Sequence, residues 1–137
     1  MPIWIGYALL AAFFAGLVAI FGKVGVREVD ATLATAVRAV VMAAFLVTAA
    51  IALGKTGIGG ISRRSFLFIV LSGAAGAASW LCYFIALREG PATGVAALDR
   101  LSVVFVFILA VAFLGEAFTP KAALGAALVV TGAILLT

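Results

Sequence analysis

Five long apolar runs limit the kind of fold that this chain can adopt. Short polar segments separate these runs, which cover residues of about 3–22, 31–53, 66–87, 92–114 and 120–136. A helix needs about 20 apolar residues to cross a bilayer, and its backbone groups must hydrogen bond internally because lipid offers no partners. The runs therefore predict an all-α, polytopic membrane protein with five transmembrane helices in a single domain, residues 1–137.

The composition excludes several classes of function. Hydrophobic residues make up 67% of the chain and charged residues 10%, far from the averages of soluble proteins. With no histidine and one cysteine, Cys82, the chain lacks the means for a disulfide framework, a thiolate metal site or histidine acid-base catalysis. We therefore expect no cofactor and no metal. The net charge of +4 is scattered over the connections, which favours contact with lipid headgroups over nucleic acid.

The connections carry residues that begin helices. Asp30 or Thr32 can cap the second helix, and Thr119 can cap the fifth with Pro120 at its first position. Pro91 follows Gly90 where the third helix must stop and the fourth begin. Such short connections predict spans that run up and down through the bilayer.

The basic residues divide almost evenly between the two membrane faces. For five spans, the face that holds the N-terminus receives Lys55, Arg63, Arg64 and Lys121, and the opposite face receives Lys23, Arg27 and Arg88. Orientation follows an excess of lysine and arginine in cytoplasmic loops, so this near tie predicts dual topology. The alternative is that the small excess, or a partner protein, fixes one orientation.

Three charged residues, Arg38, Asp99 and Arg100, lie inside apolar runs. A buried charge in a span usually faces the protein interior or a wet cavity and finds a partner. Arg38 and Asp99 are each about 6 to 7 Å from the middle of their spans, toward the same face. Adjacent residues on a helix do not face each other, so Asp99 is expected to pair with Arg38 rather than with Arg100. The pair either takes part in transport or is a structural ion pair that fixes helix register.

Aromatic residues lie at a similar depth in the third span. Trp80 is about 5 Å from the middle of that span, deeper than the interface where tryptophan normally collects, and Tyr83 follows one turn later. Trp80 is either the wall of a cavity that holds a substrate or a bulky residue packed against the glycines of a neighbouring helix.

Small residues form helical stripes in two spans. Gly73 and Gly76 belong to the stripe of the third span, and Gly125 and Gly132 to that of the fifth. Stripes of this kind let membrane helices approach closely. The fifth span is therefore assigned to packing or dimerisation.

The most specific stretch is "YFIALREGPATGVAALDRLSVVFVFILAVAFLGEAFTPKAALGAALVVTGAILL". It contains Y-x-x-A-L at the end of one span, G-P-A at the start of the next, L-G-E at its close, then T-P and a glycine-spaced last helix. With these motifs the chain resembles, along essentially its whole length, the EamA-type family of the drug/metabolite transporter superfamily. The resemblance implies one half of a ten-helix inverted-repeat fold, and activity as an exporter of metabolites, amino acids or drugs.

The resemblance also implies partners and a location. Because this chain has one half only, two copies in opposite orientations are expected to form an antiparallel homodimer around the substrate. The expected location is the inner membrane of a bacterium or archaeon. Small multidrug resistance transporters are also short and dual in topology, but they use a glutamate in the first span, which here has no acidic residue.

Only some site residues carry over from the family pattern. Pro91 and Glu116 match it as structural or gating positions, and Glu116 could equally be a solvated helix end or pair with Lys121. Asp99 and Arg100 look like the acidic-basic pair of single-half members, although those often have Asp-Lys.

The sequence thus favours a transporter that works by alternating access. Each copy has two positive charges inside its spans, Arg38 and Arg100, and one negative charge, Asp99. The net positive charge suits an anionic or zwitterionic substrate. The main alternative is an accessory subunit that transports only with a homologous partner half. A membrane-embedded enzyme is not expected, because the chain has no nucleophile beside a base and no catalytic carboxylate pair.

Overall fold

The computed structural model describes residues 2–137, and their regular structure is entirely helical. The helices are α1 (Ile3–Gly25), α2 (Ala31–Ala52), α3 (Arg63–Glu89), α4 (Ala92–Asp99), α5 (Ser102–Phe113) and α6 (Pro120–Leu135). A single 3-10 turn, Ile58–Gly60, lies between α2 and α3. α1, α2, α3 and the segment from α4 to α5 are each long and apolar enough to cross a membrane, and α6 is a shorter apolar helix. The predicted all-α, polytopic membrane fold is confirmed.

The predicted fourth span contains a break. α4 ends at Asp99, and α5 begins at Ser102. The backbone N–H groups of Arg100 and Leu101 donate to carbonyls three residues back. The N···O distances are 3.2 Å to Ala97 O and 3.0 Å to Leu98 O. This is 3-10 geometry, which in the middle of a helix often marks a hinge or local strain. The charged pair therefore lies where the helix is interrupted.

The caps begin the helices as predicted. Asp30 caps α2, because its carboxylate accepts from the backbone N–H groups of Thr32 at 2.9 Å and Leu33 at 3.1 Å. Thr119 caps α6, with its hydroxyl accepting from Ala122 N–H at 3.2 Å.

Two glycines end helices in the left-handed region. Gly54 follows α2 with φ of 66°, and Gly115 follows α5 with φ of 67°. After α2, the N–H groups of Gly54 and Lys55 donate to Ile51 O and Ala50 O, which is the Schellman arrangement. A side chain with a Cβ is strained in this conformation, so glycine suits both ends.

Few side chains are fully buried, and most large apolar ones are exposed. The buried apolar residues are mostly small, namely Ala19, Val26, Ala31, Phe84, Leu87, Ala97, Ala110 and Ala133, and no described polar or charged residue is fully buried. Phe13, Phe45, Phe105 and Leu128 are each more than half exposed. Such a surface suits lipid as its solvent.

The chain forms two compact units. The first comprises the chain up to Lys23 together with Glu89–Thr137, and the second comprises Val24–Arg88. In the first unit, α4 and α5 pack against α6. A Cβ built on the buried Gly94 would lie 3.4 Å from Pro91 Cγ and 3.5 Å from Thr137 Cγ2. α4 therefore approaches the C-terminal end of the chain closely at this glycine.

In the second unit, α2 and α3 run antiparallel. Asp30 at the start of α2 forms an ion pair with Arg88 at the end of α3, with 3.5 Å between Oδ2 and Nη1. Two turns further along α2, Arg38 lies against Trp80. Residue numbers therefore fall along α3 as they rise along α2, and this helix pair carries the site described next.

Candidate functional site

A groove of about 730 Å³ lies between α2 and α3. Its lining residues are Thr32, Thr35, Ala36, Arg38, Ala39, Met42, Ala43 and Leu46 from α2, and Gly73, Gly76, Ala77, Trp80 and Leu81 from α3. On each helix these positions recur every three or four residues, as expected for one helical face. Arg38 is the single charged residue of the lining, and the groove lies wholly within the second unit.

The groove exists because the facing side chains are small. A Cβ built on Gly73 or Gly76 would meet nothing within 4 Å, so in the described chain no neighbouring helix packs on these two glycines. Alanines face them from α2. Within the described chain these small residues leave space between α2 and α3, and close packing of the stripe against another helix stays a prediction.

Arg38 is held by an aromatic face. Its guanidinium carbon lies 3.6 Å from the centre of the Trp80 ring and 5.5 Å from that of Phe84. A cation over an aromatic ring is stabilised by about 0.5 to 1 kcal/mol at an exposed site and by about 2 kcal/mol or more where water is excluded. Arginine is suited to this because its planar group stacks on one face and donates from its edge. The stack therefore fixes the orientation of the charge.

The aromatic residues brace one another. The Trp80 ring lies edge-on to Tyr83 at 5.3 Å and to Phe84 at 6.0 Å, between ring centres. Phe84 is 4% exposed and anchors the cluster. Trp80 and Tyr83 are among the predicted site residues. Phe84 is not, although it follows Trp80 by one helical turn and therefore lies on the same face of α3.

Trp80 lines the groove. That it is the wall of a cavity that holds a substrate stays a prediction, as does the alternative that it packs against the glycines of a neighbouring helix.

The ion pair of Asp30 and Arg88 lies at the end of α2 and α3 nearest Arg38. Both side chains are solvent-accessible, Arg88 at 47% and Asp30 at 63%. The pKa of Asp30 is lowered from its ordinary value, chiefly because the carboxylate accepts a hydrogen bond from Leu33 N–H, with smaller contributions from Thr32 and Arg88. Partial desolvation opposes this shift. Asp30 therefore serves as both helix cap and ion-pair partner.

Asp99 and Arg100 lie at the break between α4 and α5, and both are exposed in the single chain. Arg38 belongs to the second unit and Asp99 to the first, so the predicted ion pair would join residues of the two units. That pairing stays a prediction.

The remaining predicted positions lie away from the groove. Pro91 is the N-cap residue of α4, and its carbonyl accepts from Val95 N–H at 3.0 Å. Glu116 is exposed in the connection after α5. Gly125 and Gly132 lie on α6, where an added Cβ would meet nothing within 4 Å. The gating or dimerisation roles predicted for these residues stay predictions.

No cluster that could ligate a metal is found in the described chain. Across residues 2–137, no three or more cysteine, aspartate or glutamate side chains come together at metal-binding distance. The chemistry available in the groove is therefore that of one oriented cation, two threonine hydroxyls and apolar walls.

Comparison with known proteins gives a consistent result. A protein of Sinorhizobium sp. described as an uncharacterized transporter in the cobO 3′ region is 45% identical over 134 residues, which cover 97% of this chain and 95% of that protein. No solved structure matches the chain significantly. The model of the EamA-like transporter family matches residues 2–137. The chain, a multi-pass membrane protein, belongs to the EamA-like transporter family.

Proposed function

We propose that this protein exports a small anionic, zwitterionic or otherwise polar molecule, such as a metabolite, an amino acid or a drug. It does so by alternating access, as an antiparallel homodimer in the inner membrane of a bacterium or archaeon. Family membership supports transport itself. The observation that carries the proposal further is the guanidinium of Arg38, stacked on Trp80 at one end of the α2–α3 groove.

The position of Arg38 inside a span makes a purely structural role energetically unfavourable. It lies seven residues after the start of α2, so it is about 10 Å inside the helix. An arginine in a span costs about 2.5 to 3.5 kcal/mol by insertion scales, more than the stack on Trp80 returns. Such charges face cavities on substrate or ion pathways, which is the role proposed here.

Asp99 supplies the proposed coupling. It is the last residue of α4, directly before the 3-10 break. Transporters place coupling sites at broken helices, where backbone can rearrange beside a charged group. Protonation of Asp99 would release whichever arginine it pairs with, and so couple proton movement to substrate movement.

The exposed charges support a dimer. Asp99 and Arg100 are both exposed in the single chain, although they lie within an apolar segment that is long enough to cross the membrane. A broken helix and two charges are tolerated at membrane depth only where protein or water covers them. A second copy in the opposite orientation would provide that cover and the missing half of the fold.

An accessory subunit is the alternative. It would use the same surfaces, with a homologous half in place of the second copy. Two C-terminal reporters, one active in the cytoplasm and one active outside it, distinguish the hypotheses. Comparable signals from both would support opposed copies of this chain, whereas a one-sided signal would favour a partner half.

Transport by the purified protein is the direct test. Proteoliposomes are loaded with labelled glutamate, phenylalanine or N-acetylphenylalanine, which present an anion, a zwitterion and an apolar monoanion. We expect faster release of at least one solute than from protein-free liposomes, and loss of that difference in Arg38→Gln. Arg64→Gln, which removes a charge at the exposed start of α3, is the matched control. Equal transport by Arg38→Gln and the wild type would contradict the proposal.

A further inference from the structure

The guanidinium of Arg38 has one face occupied and its edge available. Trp80 covers the face at 3.6 Å. Within Val24–Arg88, no hydrogen bond or ion pair engages its N–H groups. The five N–H donors of arginine lie in the plane of the group, so stacking leaves them free to bind. The edge is therefore the polar feature of the groove that still needs a partner.

A carboxylate is the group that matches this edge. Arginine binds a carboxylate through two parallel N–H···O bonds, which are stronger than bonds between neutral groups. The lining has no acidic residue and one basic residue, Arg38. A ligand with a single negative charge would neutralise the charge of Arg38, while the ammonium group of a zwitterion would find no carboxylate in the lining of the groove.

The remainder of the wall suits an apolar body. Beyond Arg38, the lining of α2 continues with Ala39, Met42 and Leu46, opposite the glycines of α3. Methionine adapts to irregular apolar shapes. A volume of about 730 Å³ falls within the range of sites for drug-sized molecules.

We propose that the α2–α3 groove binds an amphipathic organic monocarboxylate, with its carboxylate on the edge of Arg38 and its apolar body between Met42 and Gly76. This inference rests on the proposed function, because the bound molecule is the transported one. It narrows the substrate from polar molecules in general to monoanions with an apolar body.

The depth of Arg38 favours a soluble ligand over a phospholipid. The guanidinium is attached about 10 Å inside α2, whereas lipid phosphates lie outside the hydrocarbon core. A phospholipid would have to sink its headgroup by that distance to reach the arginine. A free carboxylate enters the groove without that displacement.

Trp80 provides the readout. The chain has two tryptophans, so Trp4→Phe leaves Trp80 as the only one. This variant in phosphatidylcholine nanodiscs is titrated with octanoate, octanol and octylammonium, which share a chain and differ in the head group. We expect a saturable change in Trp80 emission with octanoate, at an affinity at least about tenfold above that for the other two. Equal affinities for the three probes would overturn the inference.

Two variants test the assigned contacts. Arg38→Gln removes the charge and should reduce octanoate affinity at least about tenfold, with Arg64→Gln unchanged. Gly76→Leu keeps Arg38 but fills the groove and should also abolish octanoate binding, which keeps the test valid if Arg38→Gln fails to fold. Octanoate affinity that survives in Gly76→Leu would overturn the assigned position of the apolar body.

Nanodiscs with phosphatidylglycerol separate the soluble ligand from a lipid. Unchanged octanoate binding supports the groove as a site for soluble anions, whereas competition by this anionic lipid would overturn that assignment.

The outcomes of the binding and transport experiments also separate the proposed function from the proposed ligand. Octanoate binding without transport of any solute would refute the proposed function, and transport without preference for monocarboxylates would refute this inference alone.

Discussion

Gly94 and Gly76 show that glycine serves opposite purposes in the two units. At Gly94, α4 lies so close to the C-terminal end of the chain that an added Cβ would touch Pro91 and Thr137. At Gly76, an added Cβ would touch nothing within 4 Å, because the residue faces the groove. In the first unit glycine closes a helix contact, and in the second it keeps a cavity open.

The difference follows from the neighbouring side chains. Near Gly94 the packed residues are small, such as Ala97 and Ala133, which are 8% and 3% exposed. Near Gly76 the contact between α2 and α3 is made instead by the large pair Arg38 and Trp80. A glycine stripe thus permits two helices to approach closely, but the size of the neighbouring side chains decides whether they do.

The largest expected effect comes from Gly94→Leu. Its Cβ would already be in van der Waals contact with Pro91 and Thr137, so the rest of the side chain must displace its neighbours, and overpacking of this kind costs about 1 to 3 kcal/mol. The thermal melting temperature in detergent should fall, while Gly76→Leu melts close to the wild type. Both changes raise helix propensity similarly, so the difference isolates packing. Equal melting temperatures would remove the contrast between the two glycines.

Filling the groove should affect transport without affecting the fold. Gly76→Leu is expected to lower release of the transported solute from proteoliposomes at least about tenfold, because the side chain occupies the ligand volume. Gly16→Leu on α1, where an added Cβ also meets nothing, is the matched control for a bulky residue at an open position. Transport retained by Gly76→Leu would show that the groove is not on the pathway.

Asp99→Asn tests the coupling step. The change removes the carboxylate that is proposed to exchange a proton and replaces it with a neutral side chain of the same shape. We expect loss of the pH dependence of transport. Transport that keeps its dependence on a proton gradient would exclude Asp99 from the coupling step.

The smallest expected effect is on the stability of the start of α2, where the contribution of Asp30 depends on pH. Its pKa is lowered in the folded protein, so its contribution to stability is present above its unfolded pKa and is lost as pH falls through the folded value. Below about pH 4, hydrogen exchange at the start of α2 should quicken. Asp30→Asn retains a capping side chain and should show less of this acid dependence, while Asp30→Ala should exchange faster at all pH values.

Much of the fold was predictable because apolar length and caps are local signals. The helical fold, the cap residues Asp30 and Thr119, and the similar depth of Arg38 and Trp80 all came from short stretches of sequence. The break after Asp99 was not predicted, since an apolar run with two charges does not show where its amide bonds change pattern.

The groove depends on contacts between distant residues. That Arg38 would stack on Trp80, rather than only share its depth, follows from the register of α2 against α3, which Asp30 and Arg88 also report. The pattern of residues in a single sequence does not show how two distant helices are aligned against each other. The same limit applies to the stripe of Gly73 and Gly76, because its sequence does not show whether a neighbouring helix fills the space beside it.

Labelling of a groove cysteine tests whether soluble anions reach Arg38 from water. In a Cys82→Ser background, Ala39→Cys lines the groove, and Val41→Cys lies outside it at a position 63% exposed on α2. We predict that an anionic, water-soluble methanethiosulfonate labels Ala39→Cys in membranes faster than its cationic counterpart, that octanoate slows this labelling, and that Val41→Cys stays unlabelled. Failure of the folded Ala39→Cys protein to react, or labelling that octanoate leaves unchanged, would contradict a water-accessible anion site at Arg38.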